Sequence, residues 1–229
     1  MRSFGWDRLE QALLSGAYSA KFEEMQAGKD DANYFKVTDG VVSLAGTAKG
    51  KFHTRPQIDI MHQIAHALPT EVTIGGVYKG FSFPIYNDDN EEIFFREHTP
   101  HRWDGVSDIT VRVLTCLANT EDVSDSFRFK LMWNHMVSGQ PVPASGTSKA
   151  VNVDQTILTG RNAQYDPYLL SFTMDYDADG VGDEIKDGEE IGIRLYRIGT
   201  SGTSEVTNDI IVLDWVTEFQ TDKMYGEGD

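Results

Sequence analysis

The feature that most constrains this chain is a series of short segments after residue 72 in which apolar and polar residues alternate. Because successive side chains of a strand point to opposite faces of a sheet, each segment predicts a strand with one buried and one hydrated face. Turn-forming residues separate eight of these segments, which cover 77–86, 91–98, 108–117, 126–136, 150–158, 168–176, 190–198 and 209–220.

No helical periodicity lies between these segments, so we predict an all-β chain whose core is an eight-stranded antiparallel β-sandwich. A jelly roll is the first interpretation and an immunoglobulin-like sandwich is the alternative. The alternation also predicts the inward side chains. In the last segment these are Ile211, Leu213, Trp215 and Phe219, with Asp214 and Glu218 outward.

Residues 1–71 have a mixed pattern and are predicted to form an N-terminal arm, with the sandwich domain at 72–229. Helical spacing predicts one short helix around Leu9 and Leu13, and a second from Phe22 to Met25 that ends at Gly28, followed by a loop over 28–33. Asp39-Gly40 predicts a hairpin. A further helix is predicted over 54–69, with Thr54 as its cap and Pro56 in its first turn.

The charge is strongly negative and unevenly distributed. The chain has 36 acidic and 20 basic residues, a net charge of −16, and 16 of the acids but only four of the bases follow residue 165. This charge disfavours direct contact with nucleic acid and favours cations or basic protein surfaces as partners. No segment is apolar over the length that a membrane span requires, and the first residues do not resemble a signal peptide, so we expect no membrane partner.

One acidic motif has the spacing of a cation-binding loop. Its oxygen-bearing side chains, followed by a glycine turn, could surround a structural Ca²⁺ ion; they are Asp175, Asp177, Asp179, Asp183 and Glu184. The spacing is similar to that of EF-hand loops and of thrombospondin type 3 repeats, although Lys186 stands where an EF-hand needs a bidentate Glu. The alternative is a solvated acidic β-turn.

Other candidate chemistry is weak. His62 and His66 have the spacing of a zinc-protease helix, but Gln63 replaces the Glu that serves as general base, and His98 and His101 lie in a loop-like segment. The single cysteine, Cys116, lies in an apolar segment and is predicted to be buried and unreactive. We find no catalytic motif and predict that the chain is not an enzyme.

Two stretches carry a resemblance to known proteins. The segment from Asn90 to Ile109 contains a strand, a Pro-x-x-Trp-x-Gly turn and an Asp-Ile strand start, and the segment from Asp209 to Gln220 is a closing strand. Over roughly residues 77–224 the chain resembles uncharacterised structural proteins of tailed bacteriophages and prophages. The resemblance implies a virion protein with a jelly-roll fold and carries no enzymatic residues.

The leading functional hypothesis is therefore a capsid, head-decoration or tail-associated protein that assembles with other copies and other virion proteins, within virions formed in the host cytoplasm. The arm would contact a neighbour through anchors at Phe4, Trp6, Leu9 and Leu13. The alternative is a carbohydrate- or receptor-binding module that uses loop aromatics, with Trp103 and Tyr165 as the candidates.

Overall fold

The computed structural model describes residues 24–30, 33–38, 41–46, 49–59, 68–85, 91–137, 139–142, 148–178, 184–200 and 204–222. Their regular structure is β-strand throughout, which confirms the predicted all-β class. The strands are β1 (Glu24–Asp30), β2 (Asn33–Thr38), β3 (Val41–Leu44), β4 (Gly50–Thr54), β5 (Gln57–Asp59), β6 (Thr70–Ile74), β7 (Tyr78–Phe83), β8 (Glu92–His98), β9 (Ile109–Leu117), β10 (Ser126–Met136), β11 (Lys149–Thr156), β12 (Pro167–Met174), β13 (Glu190–Ile198) and β14 (Ile210–Thr221). None of the described segments is a helix that could cross a membrane.

Two antiparallel sheets form the sandwich. Sheet 1 has the order β11-β10-β13-β8-β5, and sheet 2 has the order β12-β9-β14-β7-β6, with β4 also paired to β14. A smaller sheet contains β1-β2-β3. The eight predicted strands correspond to β7–β14, within a few residues at each end. The predicted count of eight for the sandwich is too low, because β4, β5 and β6 add to its sheets.

Most of the core between the sheets consists of inward side chains that the alternation predicted. Phe127, Phe129 and Leu131 of β10 are 0% exposed, and their polar neighbours in the strand face outward. Aromatic rings join the two sheets: Phe129 packs edge-on against Phe83, and Phe127 packs edge-on against Tyr168. Each such side chain contributes about 1.5–3 kcal/mol through burial, so this core dominates the stability of the fold.

The prediction for β14 is wrong in its first half because the strand contains a β-bulge. Val212 pairs with Thr115 and Asp214 pairs with Leu114, which leaves Leu213 as an extra residue. The bulge reverses the alternation, so the core residues before it are Ile210 and Val212 instead of Ile211 and Leu213. After the bulge, Phe219 is inward as predicted.

Several predictions for the arm are wrong. Glu24–Asp30 is the strand β1 and not the end of a helix. The loop predicted over 28–33 is wrong where β1 and β2 cover it, and residues 31 and 32 are outside the described residues. The helix predicted over 54–69 is wrong at its start, where β4 and β5 lie; residues 60–67 are outside the described residues. Helical spacing over so few residues is a weak signal, and the open edges of the sheets provide these segments with backbone partners.

The hairpin predicted at Asp39-Gly40 is confirmed, because Thr38 pairs with Val41 on either side of it. The boundary at residues 71 and 72 stays a prediction. However, β4 pairs with β14 and β5 pairs with β8, so part of the predicted arm is hydrogen-bonded into the sandwich.

Candidate functional site

The predicted calcium ligands are only partly described. Asp179 and Asp183 lie outside the described residues, as do the arm anchors Phe4, Trp6, Leu9 and Leu13 and the histidines His62 and His66. The described residues hold no group of three or more metal-ligating side chains. Calcium binding therefore stays a prediction.

The described part of this motif comprises the half-buried Glu184 and an exposed turn directly after β12, which we call the acidic turn (residues 175–178). The backbone N–H of Asp177 donates to Oδ1 of Asp175 at 3.2 Å, and the N–H of Ile185 donates to the carbonyl of Tyr176 at 2.8 Å. A hydrogen bond with Asp175 and repulsion from its carboxylate raise the pKa of Asp177. The turn thus brings together carboxylates that repel each other.

The prediction that Trp103 is an exposed loop aromatic is wrong. Its side chain is 1% exposed, its Nε1–H donates to the carbonyl of Ser107 at 3.1 Å, and its ring packs edge-on against Phe219. The Pro-x-x-Trp-x-Gly segment therefore anchors a loop to the core. Trp103 cannot stack on a ligand without unfolding this loop.

Tyr165 is an exposed loop aromatic, as predicted. Its side chain is 45% exposed, and its φ of 67° is unusual for a residue other than glycine. The backbone is held there because its N–H donates to the carbonyl of Leu117 at 2.8 Å. A residue in this conformation costs about 1–3 kcal/mol, and such strain is common at ligand-binding positions.

The contacts of the remaining sequence candidates do not indicate a functional site. His98 is exposed, and Nδ1 of His101, which is also exposed, lies 3.1 Å from a carboxylate oxygen of Asp187. Cys116 is buried, and this burial raises the pKa of its thiol to about 11. The thiol is therefore protonated at neutral pH, as the prediction of an unreactive cysteine requires.

The sequence did not predict a charged groove on the outer face of sheet 2, where β4, β9 and β14 lie side by side. The groove has a volume of about 480 Å³, which is in the range of ligand-binding clefts. The residues that line it are His53, Arg55, Arg112, Leu114, Asp214, Trp215 and Val216. Trp215 stacks on Phe95 and donates its Nε1–H to the carbonyl of Pro56 at 3.2 Å, so internal contacts hold its indole.

Glu218 neutralises part of the positive charge beside the groove. Its carboxylate accepts a hydrogen bond from Nζ of Lys51 at 2.6 Å, lies 3.2 Å from Nε2 of His53, and forms an ion pair with Nη2 of Arg112 at 2.8 Å. Burial favours the neutral acid, but the hydrogen bonds from Lys51 and His53 and the charge of Arg112 outweigh it and lower the pKa of Glu218. The carboxylate is 7% exposed and ionised at neutral pH.

The basic side chains in and beside the groove remain accessible. The side chains of Lys51, His53, Arg55 and Arg112 are 54%, 52%, 75% and 40% exposed. The buried Nε–H of Arg112 has no hydrogen-bond acceptor among the described residues, so the chain satisfies this guanidinium only in part. No local signal could have revealed the groove, because the pairing of His53 with Glu218 joins residues that are 165 positions apart.

Comparison with known proteins finds no matching family model and no matching curated protein. Among solved structures, the xylan-binding module CBM15 is 8% identical over 76% of this chain and 99% of its own, with a TM-score of 0.41. The ANX2 ectodomain from Arabidopsis thaliana is 14% identical over 71% of this chain and 42% of its own (TM-score 0.39), and dimeric latent PorU from Porphyromonas gingivalis is 11% identical over 78% and 13% (TM-score 0.35). At TM-scores below 0.5 these likenesses carry no information about ligand or partner.

Proposed function

We propose that this chain is a structural protein of a bacteriophage virion, which works by assembling with other copies and other virion proteins. The observation that carries the proposal is the strand pairing of β7–β14. The pairs β10–β11, β9–β12, β8–β13 and β7–β14 are all antiparallel, and they alternate between sheet 1 and sheet 2. This pattern of pairs is the one expected of a long antiparallel ribbon that rolls up, and it supports a jelly roll, a fold used by viral capsid and lectin domains.

The surface supports assembly as the mode of action. Three additional strands, β4, β5 and β6, widen the two sheets beyond the eight strands of the ribbon. The smaller sheet joins the sandwich through a backbone hydrogen bond from the N–H of Leu44 to the carbonyl of Asp222, at 2.6 Å. A rigid sandwich with wide outer faces can hold several neighbouring proteins in fixed positions. Because a fold alone does not determine function, the assembly role needs a direct test.

The proposal is tested by locating the chain in particles. Electron microscopy of purified phage particles with a labelled copy of the chain should place the label at regular positions on the head or tail. If the label is absent from intact particles, the proposal is wrong. A variant with alanine at Phe4, Trp6, Leu9 and Leu13 tests the arm. It leaves β1–β3 unchanged, whereas a deletion of residues 1–34 would remove β1 and the start of β2. A chain truncated after residue 222 is the control, and normal incorporation of the alanine variant would refute the arm contact.

A carbohydrate- or receptor-binding module of a phage tail is the second candidate, and Tyr165 is the specific observation that favours it. An exposed ring on a strained backbone can stack on a sugar with little loss of conformational entropy. On a glycan array, saturable binding that Tyr165→Ala abolishes and Tyr78→Ala preserves would support this function. Tyr78 is a suitable control because it is 66% exposed at the start of β7. Binding that is the same for both variants would exclude Tyr165 as the binding residue.

A further inference from the structure

Two surfaces of opposite charge lie near each other: the groove on the outer face of sheet 2, and the acidic turn at the end of the edge strand β12 of the same sheet. The groove includes Arg112 of β9, and the acidic turn follows β12, which is paired with β9. Ser171 lies opposite Arg112 in this pairing, and Asp175 is four residues farther along the chain. At about 3.4 Å per residue, the two surfaces are separated by roughly 14 Å along the strand direction.

The groove has positive charge that the chain does not neutralise. Among the described residues, the side chains of Arg55, Lys51 and Arg112, in and beside the groove, form ion pairs with two carboxylates, those of Asp214 and Glu218, and His53 adds a further charge when it is protonated. This local excess is unusual in a chain whose net charge is −16. The ion pair of Arg55 with Asp214 is exposed and long at 3.2 Å, so Arg55 is available to another carboxylate.

The acidic turn has the opposite property, negative charge that no basic side chain pairs with among the described residues. Asp175 and Asp177 are exposed, and no Lys or Arg side chain among the described residues forms an ion pair with either. The two carboxylates belong to the same turn, two positions apart, and repel each other. A cation from outside the chain would relieve this repulsion.

We infer that the groove of one copy receives the acidic turn of a second copy, in a two-fold contact between the outer faces of sheet 2. A two-fold axis places each groove opposite the partner's acidic turn, so both halves of the contact are attractive and the surface is complementary to itself. This inference rests on the proposed assembly function and specifies one of its contacts.

A charge swap between Arg55 and Asp177 tests the contact. Both positions are exposed, so Arg55→Glu and Asp177→Lys should fold normally. In the dimer of either single variant, two attractive pairs become repulsive. In the mixed dimer of the two variants, and in the dimer of the double variant, every pair is attractive again. Arg96→Glu is the matched control, because Arg96 also forms an exposed ion pair with an acid, Glu190, but lies on sheet 1.

Self-association is measured by sedimentation equilibrium of the full chain in low salt with a chelator, which keeps the acidic turn free of metal ions. We expect each single variant to weaken self-association about tenfold or more, and the mixture and the double variant to restore it. Salt should also weaken the wild-type contact. If the wild-type chain self-associates and Arg55→Glu has no more effect than Arg96→Glu, the contact is wrong and the assembly function stands. A wild-type chain that stays monomeric at all concentrations overturns both.

Discussion

The close approach of β7 to β14 predicts that two glycine-to-alanine substitutions, Gly80→Ala and Gly192→Ala, have very different effects on the free energy of unfolding. A Cβ added to Gly80 would lie 2.6 Å from the carbonyl oxygen of Val212 and 2.8 Å from Cγ2 of Ile211. The first of these atoms is backbone and belongs to the bulge, so the strand has to move. A Cβ added to Gly192 of β13 would have its nearest neighbour, the carbonyl oxygen of Asn134, at 4.0 Å.

Overpacking of a well-packed region costs about 1–3 kcal/mol, so Gly80→Ala should lower the free energy of unfolding by that amount. Gly192→Ala should instead be neutral or stabilise the fold by about 0.4–1 kcal/mol, because alanine reduces the entropy of the unfolded chain. For a chain of this size 1 kcal/mol corresponds to about 2–4 °C in Tm. The assay is urea denaturation followed by tryptophan fluorescence and confirmed by thermal melting. If the two variants differ by less than about 0.5 kcal/mol, the reasoning from the bulge is refuted.

The remaining predictions concern buried charge and metal. Glu218→Gln should lower the free energy of unfolding at neutral pH. Since the folded state lowers the pKa of this carboxyl, the loss of stability relative to wild type should disappear as the pH falls through that pKa. A loss that does not change with pH would contradict this. The side chain of Arg197 is 2% exposed and donates to the carboxylate of Glu205 at 2.9 Å and to the carbonyls of Phe83 and Val206. Arg197→Met should therefore cost about 1–3 kcal/mol in denaturant unfolding, because it leaves buried carbonyl groups without their donor, and a loss below about 0.5 kcal/mol would contradict this. If the acidic turn binds calcium, Ca²⁺ at a hundred times its Kd should stabilise the chain by about 2.7 kcal/mol, and a chelator should reverse the effect. The double variant Asp175→Asn, Asp177→Asn should not respond to calcium. A wild-type Tm that calcium does not change would refute calcium binding.

The amino-acid sequence by itself determined the strands of the core. Alternation of apolar and polar residues is a local property that can be read from one segment at a time, and it correctly predicted β7–β13 and the inward residues of β10. The burial of Cys116 and the hairpin of β2 and β3 were also predicted from local features, for the same reason.

Only the tertiary structure decided which strands are neighbours and where the alternation fails. The bulge at Leu213 reverses the faces of β14, and β4 becomes a strand because the edge of β14 supplies its backbone partners. The groove exists because β4, β9 and β14 bring His53, Arg112 and Glu218 together from three distant parts of the chain. Such contacts depend on long-range pairing, and no local pattern of hydrophobicity encodes the partner of a strand.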